Sequence, residues 1–140
     1  MNDPLGVETD PNLLSPLTLA FIGDCVYELL VRAALVRQAN RPANELHVEK
    51  VKFVNASAQH RAFKAIENML TEKEMGIYKR GRNAHTNHTP KNMSSSDYHA
   101  ATGFEALFGY LYLLGQTDRL HELFAEIWKV GEMDGEKQTS

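Results

Sequence analysis

Apolar residues recur at helical spacing along almost the whole chain, and no strict apolar–polar alternation runs long enough to specify a strand. Residues 16–37 read as one helix, apolar on most of its circumference, whose polar stripe is Asp24, Glu28 and Arg32 at i, i+4, i+8. Pro16 suits a first helical turn and Ser15 its cap. A helix of this pattern is buried on nearly all sides, at the centre of a monomer or in a dimer interface. After the break at Arg41-Pro42, Asn44 is expected to cap a second helix carrying Leu46, Val48, Val51, Phe53 and Val54. Residues 55–57 allow a bend, and Ala62, Phe63, Ile66 and Met69 or Leu70 share one face of the helix that follows. Thr71 and Glu74 have capping-box spacing, opening a short helix into YKRGRN. Residues 81–93 are rich in Gly, Pro, Asn and Thr and read as a loop. Ser94 with Asp97 opens a helix that Gly115 ends, and Thr117 caps a last one with Leu120, Leu123, Phe124, Ile127 and Trp128 on one face. The fold class expected is all-α.

At 140 residues one domain is the simplest division, long enough to bury roughly two-thirds of its unfolded surface. Residues 1–15 read as an extended acidic arm, 16–130 as the domain and 131–140 as a frayed polar tail. The amino terminus has no basic-then-apolar signal pattern, and no apolar run reaches the roughly 18 residues of a membrane span, so the expected location is cytoplasmic. A single cysteine, Cys25, leaves no internal disulfide and is expected as a small core residue.

Two acids change this picture. Asp24 and Glu105 each stand in an otherwise apolar helical stretch, where an ionised carboxylate costs several kcal/mol unless cations or donors compensate it. Each has a glycine close by, Gly23 and Gly103, so rigid helices are expected to hold the two acids around a divalent metal. Gly103 and Gly109 disfavour a helix by about 1 kcal/mol each relative to alanine, which points to close approach of another backbone and to a tight dimer. Between the acids, residues 75–96 carry Lys79, Arg80, Arg82 and Lys91 with His85 and His88, and no acidic residue, although the chain has a net charge of −3. Local field outweighs net charge in steering a polyanion. A carboxylate pair beside a basic segment is what metal-dependent phosphodiester chemistry needs.

FIGDCV at residues 21–26 and TGFEALFG at residues 102–109 resemble the ribonuclease III catalytic domain, whose helices read roughly E-x-x-E-F-L-G-D-x-V-L and D-x-x-E-A-L-I-G. The likeness spans residues 17–114 in the family's order, with a basic loop between the motifs. It departs at Leu17, Ala20 and Thr102, where the family has further acids; only Asp24 and Glu105 remain of its cluster. With no room for a carboxy-terminal double-stranded-RNA-binding domain, the chain is similar to the compact bacterial branch, Mini-ribonuclease III. The resemblance implies an all-α homodimer that cuts double-stranded RNA with Mg²⁺, leaves 5′-phosphate and 3′-hydroxyl ends, and trims precursors of large-subunit (23S) ribosomal RNA. Asp24 and Glu105 are then the catalytic and metal-binding residues and Glu28 a supporting one. Lys79, Arg80, Arg82, Asn83, Lys91, His85 and His88 would contact RNA, joined more weakly by Lys50, Lys52, Asn55 and Gln59. A ribosomal protein on the precursor is a further expected partner.

Blander readings stand beside these. Asp24 could be a structural acid paired with Arg32, Arg37 or Arg61, and Glu28 lies one turn from Arg32 in an ion pair worth a few tenths of a kcal/mol. His85 and His88 have metal-ligand spacing but no cysteine or acid in their loop. The chief alternative function is a ribonuclease III-like RNA- or protein-binding module that has lost cleavage along with the acids at 17, 20 and 102. An all-α nucleotide phosphohydrolase is a second, disfavoured by the lack of a His-Asp doublet.

Overall fold

The computed structural model describes residues 9–84 and 94–139, with side chains to residue 132. The expected RNA contacts His85, His88 and Lys91, and residues 1–8 of the arm, lie outside the described residues. Among the described residues six α-helices follow one another: α1 (Pro16–Gln38), α2 (Ala43–Val54), α3 (Ala56–Ile66), α4 (Glu72–Arg82), α5 (Ser95–Leu113) and α6 (Thr117–Thr139). Among the described residues there is no strand. The fold is all-α.

Most helix ends follow from local chemistry. The Ser15 hydroxyl accepts from the Thr18 amide, Asn55 from Ala58, and Ser94 from Asp97, each occupying an otherwise unpaired first-turn N–H. Thr71 and Glu74 form a full capping box. Gly115, at φ 78°, ends α5 in a Schellman turn: its N–H donates to Tyr112 O and that of Gln116 to Leu111 O, both at 2.9 Å.

Four boundaries differ from the expectation. Asn44 lies inside the first turn of α2, which is opened instead by Pro42, whose carbonyl accepts from Leu46 N at 3.1 Å. Thr117 is the first residue of α6 rather than its cap, because the tight turn at Gly115 leaves only Gln116 to accept from Leu120 N. Helix α6 continues to Thr139, through the segment read as a frayed tail; Glu, Lys, Gln and Met there are good helix formers. The arm is not wholly extended: Pro11–Leu13 forms a 3-10 turn capped by Asp10, and Tyr110 Oη donates to Asn12 Oδ1 at 3.0 Å, docking the arm on α5.

The core is built around α5. Phe104, Ala106, Leu107 and Phe108 are fully buried, and Tyr27 of α1 sets its ring edge-on to both phenylalanines, at centroid distances of 4.8 and 5.3 Å. Phe63 of α3 stacks on Tyr78 of α4 at 3.7 Å. Arg119 of α6 donates from Nε and Nη2 to both oxygens of buried Glu74 (2.9 and 2.8 Å) and from Nη2 to Met69 O (2.7 Å), fixing the start of α4.

Glycines set the helix spacing. A Cβ at Gly23 would fall 1.6 Å from the Glu105 carbonyl oxygen, and one at Gly109 would fall 2.0 Å from that of Leu19. On the other side of α5, a Cβ at Gly81 would lie 2.8 Å from Gly103 Cα, and one at Gly103 would lie 2.6 Å from the Tyr78 carbonyl oxygen. The close approach expected of Gly103 and Gly109 is therefore real but lies within one chain, against α4 and α1 rather than a second subunit. Helix α1 is also not buried all round: Leu17, Phe21, Cys25, Leu29 and Val36 are exposed. Cys25, expected in the core, falls on this outer stripe because the inner face is taken by Leu19, Gly23, Val26, Tyr27 and Val31.

In Gly109→Ala the new methyl meets first the Leu19 carbonyl, a backbone group that cannot swing aside, and must separate α1 from α5. We expect it to lower the unfolding free energy by at least about 2 kcal/mol in urea titrations, at the upper part of the range for overpacked cores.

Candidate active site

Because Gly23 rests on the backbone of Glu105, the next residue of α1, Asp24, is carried beside the Glu105 side chain. The two carboxyl groups come within hydrogen-bonding reach across the helix crossing. Asp24 is exposed at the rim and Glu105 half-buried behind it. Burial, and after it the hydrogen bond and charge of Asp24, push the Glu105 carboxyl up to about 8, against the weaker opposing bond from Gln59. At neutral pH the pair therefore holds a proton when no cation is present.

None of the arginines proposed as structural partners neutralises the pair. Arg32 bonds Glu28 at 3.0 Å and Arg61 donates to Ser57 Oγ at 2.7 Å; no ion pair of Asp24 or Glu105 exists among the described residues. Positions 17, 20 and 102 supply no charge: Leu17 is exposed, Ala20 is buried, and the Thr102 hydroxyl donates to Tyr98 O at 3.0 Å. Glu28 sits one turn along α1 and also receives Lys50 Nζ at 3.5 Å, which leaves Lys50 buried rather than offered to a polymer. Gln59 is buried as well and donates from Nε2 to Val54 O at 2.9 Å and to Glu105 Oε2 at 3.4 Å. Its closeness to Glu105 has no sequence signal, since α3 and α5 meet only in the folded chain.

Two hard oxygen donors, facing each other without a compensating cation, suit a divalent metal that takes oxygen ligands. Among the described residues no group of three or more His, Cys, Asp or Glu is gathered, so a cation held here would draw on the pair. That is enough for an ion such as Mg²⁺, which keeps several waters.

The basic residues lie at the far end of α4. Lys79, Arg80, Arg82 and Asn83 are exposed there, where helix carbonyls also favour positive charge. Lys79 and Arg82 line a polar cavity of about 460 Å³ with His60 and Lys64 of α3 and Ser96 and Ala100 of α5. Ala100 precedes Glu105 on one helix by about 7.5 Å of rise, so cavity and carboxylates are neighbours along α5. His60 Nδ1 bonds Asp97 Oδ1 at 2.8 Å, and that bond holds the Asp97 carboxyl below its ordinary range. Two expected RNA contacts are engaged elsewhere. Lys52 donates to Glu49 Oε1 at 2.9 Å, and Asn55 spends its side chain on capping α3 and on Val51 O; neither lines the cavity. His60 and Lys64, the latter paired with Glu67 at 3.6 Å, also line the cavity and carry no sequence signal for it.

The family model of the Ribonuclease III domain matches residues 17–116. The chain is 53% identical over 110 residues to the Mini-ribonuclease 3 of Thermoanaerobacter sp. (strain X514), covering 79% of this chain and 78% of that protein. It is 41% identical over 128 residues to the Mini-ribonuclease 3 of Streptococcus pneumoniae (strain ATCC BAA-255 / R6), covering 90% and 98%. A Fusobacterium nucleatum protein solved by crystallography superposes with a TM-score of 0.78 at 31% identity, over 88% of this chain and 98% of that one. The chain belongs to the ribonuclease III family, within its Mini-ribonuclease 3 group, and by that membership is an endoribonuclease of double-stranded RNA.

The displaced Glu105 proton has a measurable consequence. Between the unfolded value, about 4.3, and the folded value of about 8, the folded state binds a proton that the unfolded state lacks. Stability without divalent cations must therefore fall as pH rises through that window. Urea midpoints in EDTA at pH 5.5, 6.5, 7.5 and 8.5 should decline for the wild type and decline clearly less for Glu105→Gln. Parallel slopes would contradict the shift.

Proposed function

We propose that this protein is a Mg²⁺-dependent endoribonuclease that acts as a homodimer on double-stranded regions of precursor RNA, maturing the ends of 23S ribosomal RNA. The observation that carries the cleavage reading is the Asp24–Glu105 pair, held across a glycine crossing and left without a neutralising cation. Asp24 and Glu105 would hold the Mg²⁺, which when bound lowers the pKa of a coordinated water and stabilises the departing 3′-oxygen. Glu105 must give up its proton as the ion enters, so loading is favoured as pH rises toward 8. Lys79 and Arg82 would offer cations to the backbone of a strand running from the cavity toward the carboxylates, while Lys64, paired with Glu67 Oε2 at 3.6 Å, and His60, bonded to Asp97, line the same cavity. Phosphate and ribose contacts of this kind read duplex shape rather than base sequence. Phosphodiester hydrolysis with the 3′-oxygen leaving yields 5′-phosphate and 3′-hydroxyl products.

Likeness to the Mini-ribonuclease 3 group supports the ribosomal-precursor assignment. The small basic surface supports a ribosomal protein on the precursor that helps to select the site. A cytoplasmic setting fits an RNA-processing role, and no helix among the described residues is long and apolar enough to cross a membrane.

The deciding assay is cleavage of a long RNA duplex, and of a 23S precursor stem, in Mg²⁺. Wild type should cut, while Asp24→Asn and Glu105→Gln lose at least about a hundredfold, a modest share of the several kcal/mol a metal contributes. Retained duplex binding in both variants separates lost chemistry from lost affinity. Absence of cleavage by the wild type, with binding intact, would leave the binding-module alternative in its place.

The homodimer rests on the outer stripe of α1, where Phe21 is 81%, Leu29 66% and Val36 59% exposed. Contiguous apolar residues of this kind mark an association surface. Sedimentation velocity should show a dimer for the wild type and a folded monomer for Phe21→Asp; a wild-type monomer at tens of micromolar would remove the dimer from the reading.

A further inference from the structure

Gln59 occupies an unusual position for an amide. It is 3% exposed, on a face of α3 made otherwise of Ala56, Ala58, Ala62, Phe63 and Ile66. Its Nε2 uses one proton on Val54 O at 2.9 Å and the other on Glu105 Oε2 at 3.4 Å. Its Oε1 is buried and accepts from nothing among the described residues. A buried acceptor left unpaired is destabilising. A glutamine placed only to cap the end of α2 needs one N–H, and capping accounts neither for the bond to Glu105 nor for the unused oxygen. That oxygen belongs to the amide group that bonds Glu105, one of the two carboxylates beside which a hydrated cation would bring O–H donors.

We propose that Gln59 is a positioning residue of the cation site and takes up part of the task of the acids absent at positions 17, 20 and 102. Through Nε2 it holds one oxygen of ionised Glu105, turning the other toward the cation. Through Oε1 it accepts a hydrogen bond from a water of the cation's hydration shell. A neutral amide serves here because Mg²⁺ retains most of its waters and needs acceptors around them as well as charge. Outer-shell partners of this type change metal affinity by about 10–100-fold when removed. This inference rests on the cation site proposed above.

The test is Mg²⁺-dependent thermal stabilisation of the protein without RNA, titrated to tens of millimolar in wild type, Gln59→Met and Asp24→Asn, each measured against its own metal-free baseline. We expect the wild type to gain stability with Mg²⁺, Asp24→Asn to gain none, and Gln59→Met to require about tenfold more Mg²⁺ for the same gain. A lower metal-free melting temperature for Gln59→Met with an unchanged Mg²⁺ midpoint would reduce Gln59 to a helix cap and overturn the proposal. No Mg²⁺ response in the wild type, or an undiminished one in Asp24→Asn, would overturn the cation site itself and this inference with it. Should Gln59→Met not fold, the wild-type side-chain amide resonances decide: they are expected to move with Mg²⁺ in step with the Glu105 backbone signal, and an unmoved Gln59 amide overturns the proposal.

Discussion

Where α1 crosses α5, neither helix has a side chain to hold the other off: Gly23 rests on the Glu105 carbonyl, and Gly109 rests on that of Leu19. Backbones in direct contact cannot slide or roll without a clash, so the relative position of residues 24 and 105 is set by two helices rather than by flexible side chains. The same device recurs one turn away, where Gly81 and Gly103 bring α4 onto the opposite side of α5. Helix α5 is thus gripped from both sides. One grip fixes the carboxylate pair, and the other fixes the helix whose last turn carries Lys79, Arg80 and Arg82. A catalytic constellation tolerates only small misplacement, and glycine contacts supply that rigidity without enlarging the core.

The same geometry creates an electrostatic imbalance. Forced together in a half-buried crossing, the two carboxylates cannot both ionise comfortably, and Glu105 keeps its proton to about pH 8. Nearby cations are diverted: Lys50 and Arg32 go to Glu28, one turn farther along α1. Had either reached Asp24, the pair would already be neutralised and an incoming divalent ion would have to displace it. Glu28 thus engages both cations, and among the described residues neither forms an ion pair with Asp24. At the far end of α4 the last turn exposes Lys79, Arg80 and Arg82, so a chain of net charge −3 still carries a locally basic surface.

Most of this fold is legible in the sequence because the signals are local. Ser15, the Thr71–Glu74 box, Ser94 and Gly115 act within four residues of themselves, and the structure places each where the pattern puts it. Asn44 and Thr117 mislead because several residues there could open a helix, and the geometry of Pro42 and Gly115 decides between them. Gly103 and Gly109 announce a close contact, but composition carries no information on which backbone arrives. Small and set among apolar neighbours, Cys25 reads in the sequence as a core residue. Its exposure follows from the angular position of α1 on α5, a property of the packed pair. Gln59 and His60 belong to the same class: their partners, Glu105 and Asp97, lie 46 and 37 residues away.

Helix α1 shows how one element serves three demands through its 3.6-residue turn. Leu19, Gly23, Val26, Tyr27 and Val31 face inward and make the core; Phe21, Cys25, Leu29 and Val36 face outward. Asp24 stands at the border between the two sets. A carboxylate farther inward would be desolvated as Glu105 is, and one centred on the outer stripe would be sealed by whatever covers Phe21. The border keeps it beside Glu105 and still open to solvent. If the outer stripe is covered by a second copy, two-fold symmetry places the two Asp24 borders on either side of the shared helix pair. Each site would then meet a different strand of one duplex, and α1, in joining the subunits, would also set the span between the two carboxylate pairs.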